Sequence, residues 1–145
     1  MRNNYSYAQI FLRLALGGLS FIYAVLDRIG WLDPADGNIA WGNWRAFLDY
    51  THLLLPILDR TLSDIFGWTA TIGEVIFGVL LIIGYKTKLA AFGSFALLLS
   101  FGICMALSLG LKAPFNYSVF SASAGALLLS CLTNYKWSID NLTNK

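Results

Sequence analysis

Trp68-Thr-Ala-Thr-Ile-Gly-Glu74-Val-Ile-Phe-Gly-Val-Leu-Leu-Ile-Ile-Gly84 holds a single charge, Glu74, in an otherwise apolar run. At about 1.5 Å of rise per residue the run is nearly long enough to cross a bilayer as a helix. A charge at that depth costs a few kcal/mol, about 3 on insertion scales, and therefore faces the bundle interior and finds a partner. Counting from Trp68, Glu74 is expected roughly 10 Å below one interface, too deep for its short side chain to reach water. Everything else in the chain is read relative to this carboxylate.

The composition agrees with a membrane setting. Of the 145 residues 57% are hydrophobic and 12% charged, with a mean hydropathy of +0.63. Ordinary soluble domains carry about 25% charged residues, so this chain lacks the charge to cover a soluble surface. A net charge of +2 with no basic block gives no footing for nucleic acid. There is no linker, repeat or low-complexity tract, and a single domain over residues 1–145 is expected.

Working outward, four apolar segments are expected as spans, at residues 7–29, 68–84, 89–110 and 117–135. The first is not read as a signal peptide, because Arg13 interrupts it and no small-x-small site precedes Asp27. Arg13 is expected to snorkel toward the nearer interface, and Gly17-Gly18 to offer a flat place for helix contact. Lys86 and Lys88 sit in a tight hairpin between the second and third spans. The fourth is rich in small residues, Ser118 and Ser121 through Ala126, which suits close packing in lipid.

Residues 30–67 differ. Asp33-Pro34-Ala35-Asp36-Gly37-Asn38 has turn chemistry, and Trp44, Phe47, Leu48, Thr51, Leu55 and Leu58 recur near helical spacing. Pro56 should break or kink that helix, and Leu58, Leu62, Ile65 and Phe66 suggest a second short amphipathic turn. With Trp31, Trp41, Trp44 and Tyr50 this segment reads as a cap lying in the interface. The basic residues Arg2, Arg13, Lys86, Lys88, Lys136 and Lys145 fall on one side, against Arg28, Arg45, Arg60 and Lys112 on the other. By the positive-inside rule both termini are cytoplasmic and the cap is extracytoplasmic. The expected fold is an all-α membrane protein of four transmembrane helices with interfacial helices between the first two.

That topology gathers Asp27, Arg28, Tyr23 and Glu74 in the outer half of the membrane. Arg28 has the reach to pair with Glu74, and Tyr23 is expected at the carboxylate's depth. The group reads either as an ion pair locking two helices or as a polar pocket for an anionic or quinone-like headgroup. His52, Trp41 and Trp44 are weaker candidates, the histidine as a base and the tryptophans as cleft walls. Nothing has the spacing of a metal site. Cys104 and Cys131, at depths of roughly 9 and 20 Å, are too far apart along the helices to join and are expected as small packing residues.

Several stretches resemble the DoxX-like family of small four-helix bacterial membrane proteins. They are Arg-Leu-Ala-Leu-Gly-Gly (Arg13–Gly18), Tyr23-Ala24, Asp27-Arg28-Ile-Gly30, and Trp-Gly-Asn-Trp (Trp41–Trp44). Gly73-Glu74 followed by Gly78, Lys88-Leu-Ala-Ala91 and Lys112-Ala-Pro-Phe-Asn-Tyr-Ser-Val-Phe120 complete the set. The resemblance implies a four-helix bundle in a bacterial cytoplasmic (inner) membrane and a link to quinone-dependent redox complexes, with no catalytic residue to carry over. The expected function is a small non-catalytic subunit or scaffold of a redox-linked membrane assembly, with the lipid bilayer and a protein partner or a second copy as its neighbours. The alternatives are a quinone-interacting oxidoreductase subunit, with quinone as the only cofactor considered, and a small-solute transporter acting as an oligomer.

Overall fold

A computed structural model describes residues 4–33, 35, 37 and 39–143. Among them there is no strand. In chain order the elements are α1 (Asn4–Leu14), a π-helical segment π1 (Ala15–Ile22), α2 (Tyr23–Arg28), α3 (Trp44–Leu54), α4 (Arg60–Ile83), α5 (Thr87–Leu109), α6 (Lys112–Asn116), α7 (Val119–Ser130) and α8 (Ile139–Thr143). Of the expected turn at 33–38, Pro34, Asp36 and Asn38 lie outside the described residues, as do Arg2 and Lys145. Within that turn, Asp33 Oδ1 accepts the Ala35 N–H at 2.9 Å.

Three helices are long and apolar enough to cross a membrane: Tyr5–Arg28, Arg60–Ile83 and Thr87–Leu109. Their outward faces are apolar, with Phe11, Leu19, Ile72, Ile76, Phe92 and Leu107 all exposed. In water those faces would be unsupportable; in lipid they are matched. The fourth apolar helix, α7, has 12 residues and so extends about 18 Å, against the expected span over 117–135. It stops because the chain turns back on itself. Leu132 N–H bonds to Leu129 O in a tightened last turn, and Tyr135 Oη donates to the same carbonyl at 2.9 Å.

The first span runs through the π turns of π1. Their i→i+5 spacing appears in the Tyr23 N–H to Gly18 O bond, and Ser20 Oγ donates to Ala15 O at 3.1 Å beside it. Gly17 in this segment presses on α4, where a Cβ would stand 2.6 Å from Gly78 O. No larger residue allows the two backbones that approach.

The cap is simpler than the sequence suggests. Asn43 caps α3 through the Ala46 N–H at 2.9 Å, and α3 ends at Leu54, before Pro56, as expected. The second amphipathic turn is not separate, which corrects the reading of residues 58–67. Asp59 caps α4 by accepting the Leu62 N–H at 2.8 Å, and one helix continues from Arg60 to Ile83. Gly67 does not break it, because a helix-interior glycine there is where α3 crosses; a Cβ would meet Leu48 Cδ2 at 2.9 Å.

Arg13 also departs from expectation. It does not snorkel; it is 2% exposed, and its guanidinium donates to Leu81 O at 2.8 Å and Ile82 O at 3.2 Å. It reaches Lys136 O and Trp137 O at 3.2 Å each. Leu81 O and Ile82 O are among the orphan carbonyls at the end of α4, where a cation is favoured by the helix dipole. The polar tail docks on the same place: Asp140 accepts the N–H groups of Lys86 and Thr87, each at 2.7 Å, at the start of α5. Burial works to raise the Asp140 carboxyl, but the Thr87 and Lys86 bonds and the Arg13 charge together hold it below its ordinary value. The core between these ends is built from Leu16, Phe21, Leu81, Ala90, Ala91, Leu98, Ala126 and Leu129. Cys104 is half-buried and Cys131 exposed, and both are free; the exposed Cys131 does not fill the packing role expected of it.

Candidate functional site

The last turn of α2 carries Asp27 and Arg28, adjacent in sequence and 3% exposed each, but turned to different neighbours. Asp27 faces the cap. Its carboxylate accepts the N–H groups of Ala40 (2.9 Å), Trp41 (3.3 Å) and Gly42 (2.8 Å), folding the loop over the end of the helix. Three backbone donors on one carboxylate are charge-assisted bonds that also hold Trp41 in position. Gly42 makes the turn at φ 68°, a left-handed conformation natural to glycine.

Arg28, about 100° further round the helix, faces α4. Its Nη2 donates to Glu74 Oε1 at 3.0 Å, its Nη1 donates to Glu74 Oε2 in a very close contact, and Nη1 also reaches Thr71 Oγ1 at 2.9 Å. The pair is bidentate, the geometry that best fits guanidinium to carboxylate. Thr71 is one turn before Glu74 on the same face, and its hydroxyl proton is committed to Gly67 O at 2.9 Å, leaving a lone pair for Arg28.

The guanidinium is covered by aromatic rings. Its Cζ lies 4.0 Å from the Phe47 ring centroid and 5.0 Å from that of Trp41, close enough for cation–π attraction in a desolvated site. Trp41 and Trp44 each contact Phe47, with centroids 5.5 and 5.4 Å apart, and Trp44 meets Trp68 at 4.2 Å with the rings tilted by 49°. Glu74 itself is 2% exposed. It lies further along its helix than the count from Trp68 suggested: α4 begins at Arg60, which puts Glu74 roughly 21 Å from the first residue.

Among the sequence-selected residues, the structure joins Arg28 and Glu74, sets Trp41 over Arg28 and Trp44 one ring further out, and turns Tyr23 away. Tyr23 is 43% exposed. It shares the helix face of Asp27, four residues on, which is turned away from the face that carries Arg28 to α4. His52 is also apart from the pair. Its Nδ1 lies 3.1 Å from Ser63 Oγ, and because the Ser63 proton goes to Arg60 O at 2.9 Å, Nδ1 must be the donor. The bond ties α3 to the first turn of α4, as does Arg60, which bonds Asp49 at 2.6 Å and Asp64 at 2.9 Å on the surface.

Two contributors were missed from sequence, Thr71 and Phe47. The spacing Thr71–Glu74 places both on one helix face and could have flagged the threonine; nothing local marks Phe47 as the ring beneath Arg28. Among the described residues, no group of three or more His, Cys, Asp or Glu side chains could hold a metal ion. The arrangement can hold two charges together out of water and anchor the cap to the second span. The surface hollow beside Ile83 and Trp137 and the one beside Gln9 and Lys136 are lined by no residue of the pair.

No curated protein and no solved structure matches the chain. A family model does, over residues 5–116, from α1 through α6. The matching family is not the DoxX-like one that the motifs resemble. Its description is methylamine utilisation protein MauE, and the chain, a membrane protein by its helices and its match, belongs to the MauE family.

Proposed function

We propose that this chain is a small non-catalytic membrane subunit or scaffold supporting a redox-linked methylamine-utilisation assembly. It crosses a bacterial cytoplasmic membrane four times as one domain, with both termini inside. The observation that carries the non-catalytic reading is the closure of the Arg28–Glu74 pair. Both Glu74 oxygens accept from Arg28, and Phe47 and Trp41 cover the guanidinium. The two charges are spent on each other, and of the guanidinium's donors only Nε is left buried without a hydrogen-bond partner among the described residues. The family description supplies the metabolic setting.

Two features support four crossings and the orientation. α7 is apolar and lies along α5, with α6 before it. Lys86 and Lys136 belong to the end of the bundle where Arg13 and the tail meet, whereas Arg45 and Arg60 lie in and beside the cap, the asymmetry of a positive-inside topology.

The test is mild-detergent purification from the native membrane of cells grown on methylamine, with identification of what accompanies the protein. Stoichiometric protein partners and loss of growth on methylamine when the gene is deleted are the expected results. A lone homo-oligomer whose deletion leaves growth unchanged overturns the reading. Quinone retained at one per chain would instead favour a quinone-interacting subunit.

A further inference from the structure

A second polar feature lies at the opposite end of the bundle from the cap, where α1 meets the segment after α7. A hollow of about 220 Å³ there is lined by Tyr5, Ser6, Gln9, Thr133, Asn134 and Lys136, with Leu132 beneath. Gln9 is 4% exposed. Its Nε2 donates to Lys136 O at 3.2 Å, the carbonyl that Arg13 Nη1 also reaches at 3.2 Å. This fixes the amide, since the flipped orientation would set two acceptor oxygens against each other. Gln9 Oε1 is therefore a buried acceptor, and it has no hydrogen-bond partner among the described residues.

A buried carbonyl left without a donor is destabilising, so the hollow suits a ligand that brings an N–H or O–H. Its volume is several times the ~30 Å³ share of a liquid water, more than one bridging water requires. The rim indicates where such a ligand comes from. Tyr5 and Lys136 line it, Tyr5 is 71% exposed, and their chain neighbours Tyr7 and Trp137, outside the lining, are 67% and 80% exposed. Exposed tyrosine and tryptophan beside lysine mark the headgroup level of a membrane protein.

We propose that this hollow binds a phospholipid headgroup carrying a hydrogen-bond donor beside its phosphate, an ethanolamine ammonium or a glycerol hydroxyl. The donor sits on Gln9 Oε1, and the phosphate lies toward Lys136 and the hydroxyls of Ser6 and Thr133. A choline headgroup has the same phosphate but no N–H or O–H, so it cannot satisfy Gln9.

The experiment is delipidation of the full-length protein, re-exposure to equal amounts of phosphatidylethanolamine, phosphatidylglycerol and phosphatidylcholine, and native mass spectrometry of what is retained. The wild type should hold donor-bearing lipid over phosphatidylcholine by about tenfold, and Gln9→Leu should bring that ratio close to one. Equal retention of all three lipids by the wild type overturns the proposal and requires no variant. Selectivity that survives Gln9→Leu, or Gln9→Met should the first not fold, overturns the assignment to this hollow. Displacement of the lipid by millimolar free phosphoethanolamine would make the site one for a soluble phosphoamine and remove the lipid from it.

Discussion

Breaking the Arg28–Glu74 pair from one side should cost far more than removing it from both. In Glu74→Leu the guanidinium remains 3% exposed with one hydrogen-bond acceptor, Thr71 Oγ1, and two aromatic rings. An uncompensated buried charge of this kind typically costs 3–5 kcal/mol, about a hundred- to several-thousandfold in the unfolding equilibrium. Arg28→Met keeps the stem's volume and strands the carboxylate instead, with a loss in the same range. The double variant Arg28→Met with Glu74→Leu leaves no charge and nearly fills the space. It should lie within about 1–2 kcal/mol of wild type, because apolar replacements of buried pairs are often neutral or stabilising. Reversible unfolding by detergent titration reads this directly, with the fluorescence of Trp41 and Trp44, which pack around Phe47, as a local reporter. Single variants losing less than about 1 kcal/mol, the range of exposed surface pairs, would refute the claim that the pair fastens the cap to α4. So would a double variant that sums the two single losses, since residues in one network should couple.

Three further outcomes follow from the geometry. Asp27→Asn offers one acceptor oxygen where three N–H groups now bond, so amide exchange at Ala40, Trp41 and Gly42 should accelerate while α4 keeps its protection. Gly17→Ala drives a Cβ toward Gly78 O and should destabilise by about 1–3 kcal/mol, the cost of overpacking a close contact, as measured by the same titration. The Asp140 carboxyl is held below its ordinary value. The stability it lends to tail docking is therefore present above the unfolded carboxyl's pKa and is lost as pH falls through the lower folded one. Limited proteolysis after Lys136 should thus stay slow at neutral pH and rise in the acid range, and in Asp140→Asn the acid-dependent rise should be absent.

The parts of this structure legible in the sequence are those that a one-dimensional pattern encodes. Long apolar runs gave three helices because lipid demands continuous hydrogen-bonded backbone. A carboxylate in such a run demanded a partner, and Arg28 was the cation at a matching depth. What escaped was rotation and continuity. Tyr23 and Arg28 differ in which side of α2 they occupy, and depth alone cannot distinguish them. Gly67 and Pro56 both resembled boundaries; Pro56 was one, while Gly67 proved to be a crossing point inside α4, a distinction that depends on α3 lying above it. The early end of α7 depends on Tyr135 bonding back to Leu129, and the burial of Arg13 on carbonyls 68 to 124 residues away. Neither is a local property. The DoxX-like motifs led to the right kind of protein, a small helical membrane chain, while the family model that matches is that of MauE.

The position of Arg13 also bears on the order of assembly. Two of its four carbonyl partners belong to Lys136 and Trp137, the first of them 123 residues later in the chain. At roughly 5–20 residues per second of synthesis, about 6 to 25 seconds separate their emergence from the ribosome. Once α4 has emerged and until the tail follows, Arg13 has only the end of α4 to bind, and that end of the bundle stands unlatched. The tail is the closing step of biogenesis. A nascent chain arrested at residue 130 should therefore expose the Gly84–Lys86 turn to protease, and release of the full chain should bury it.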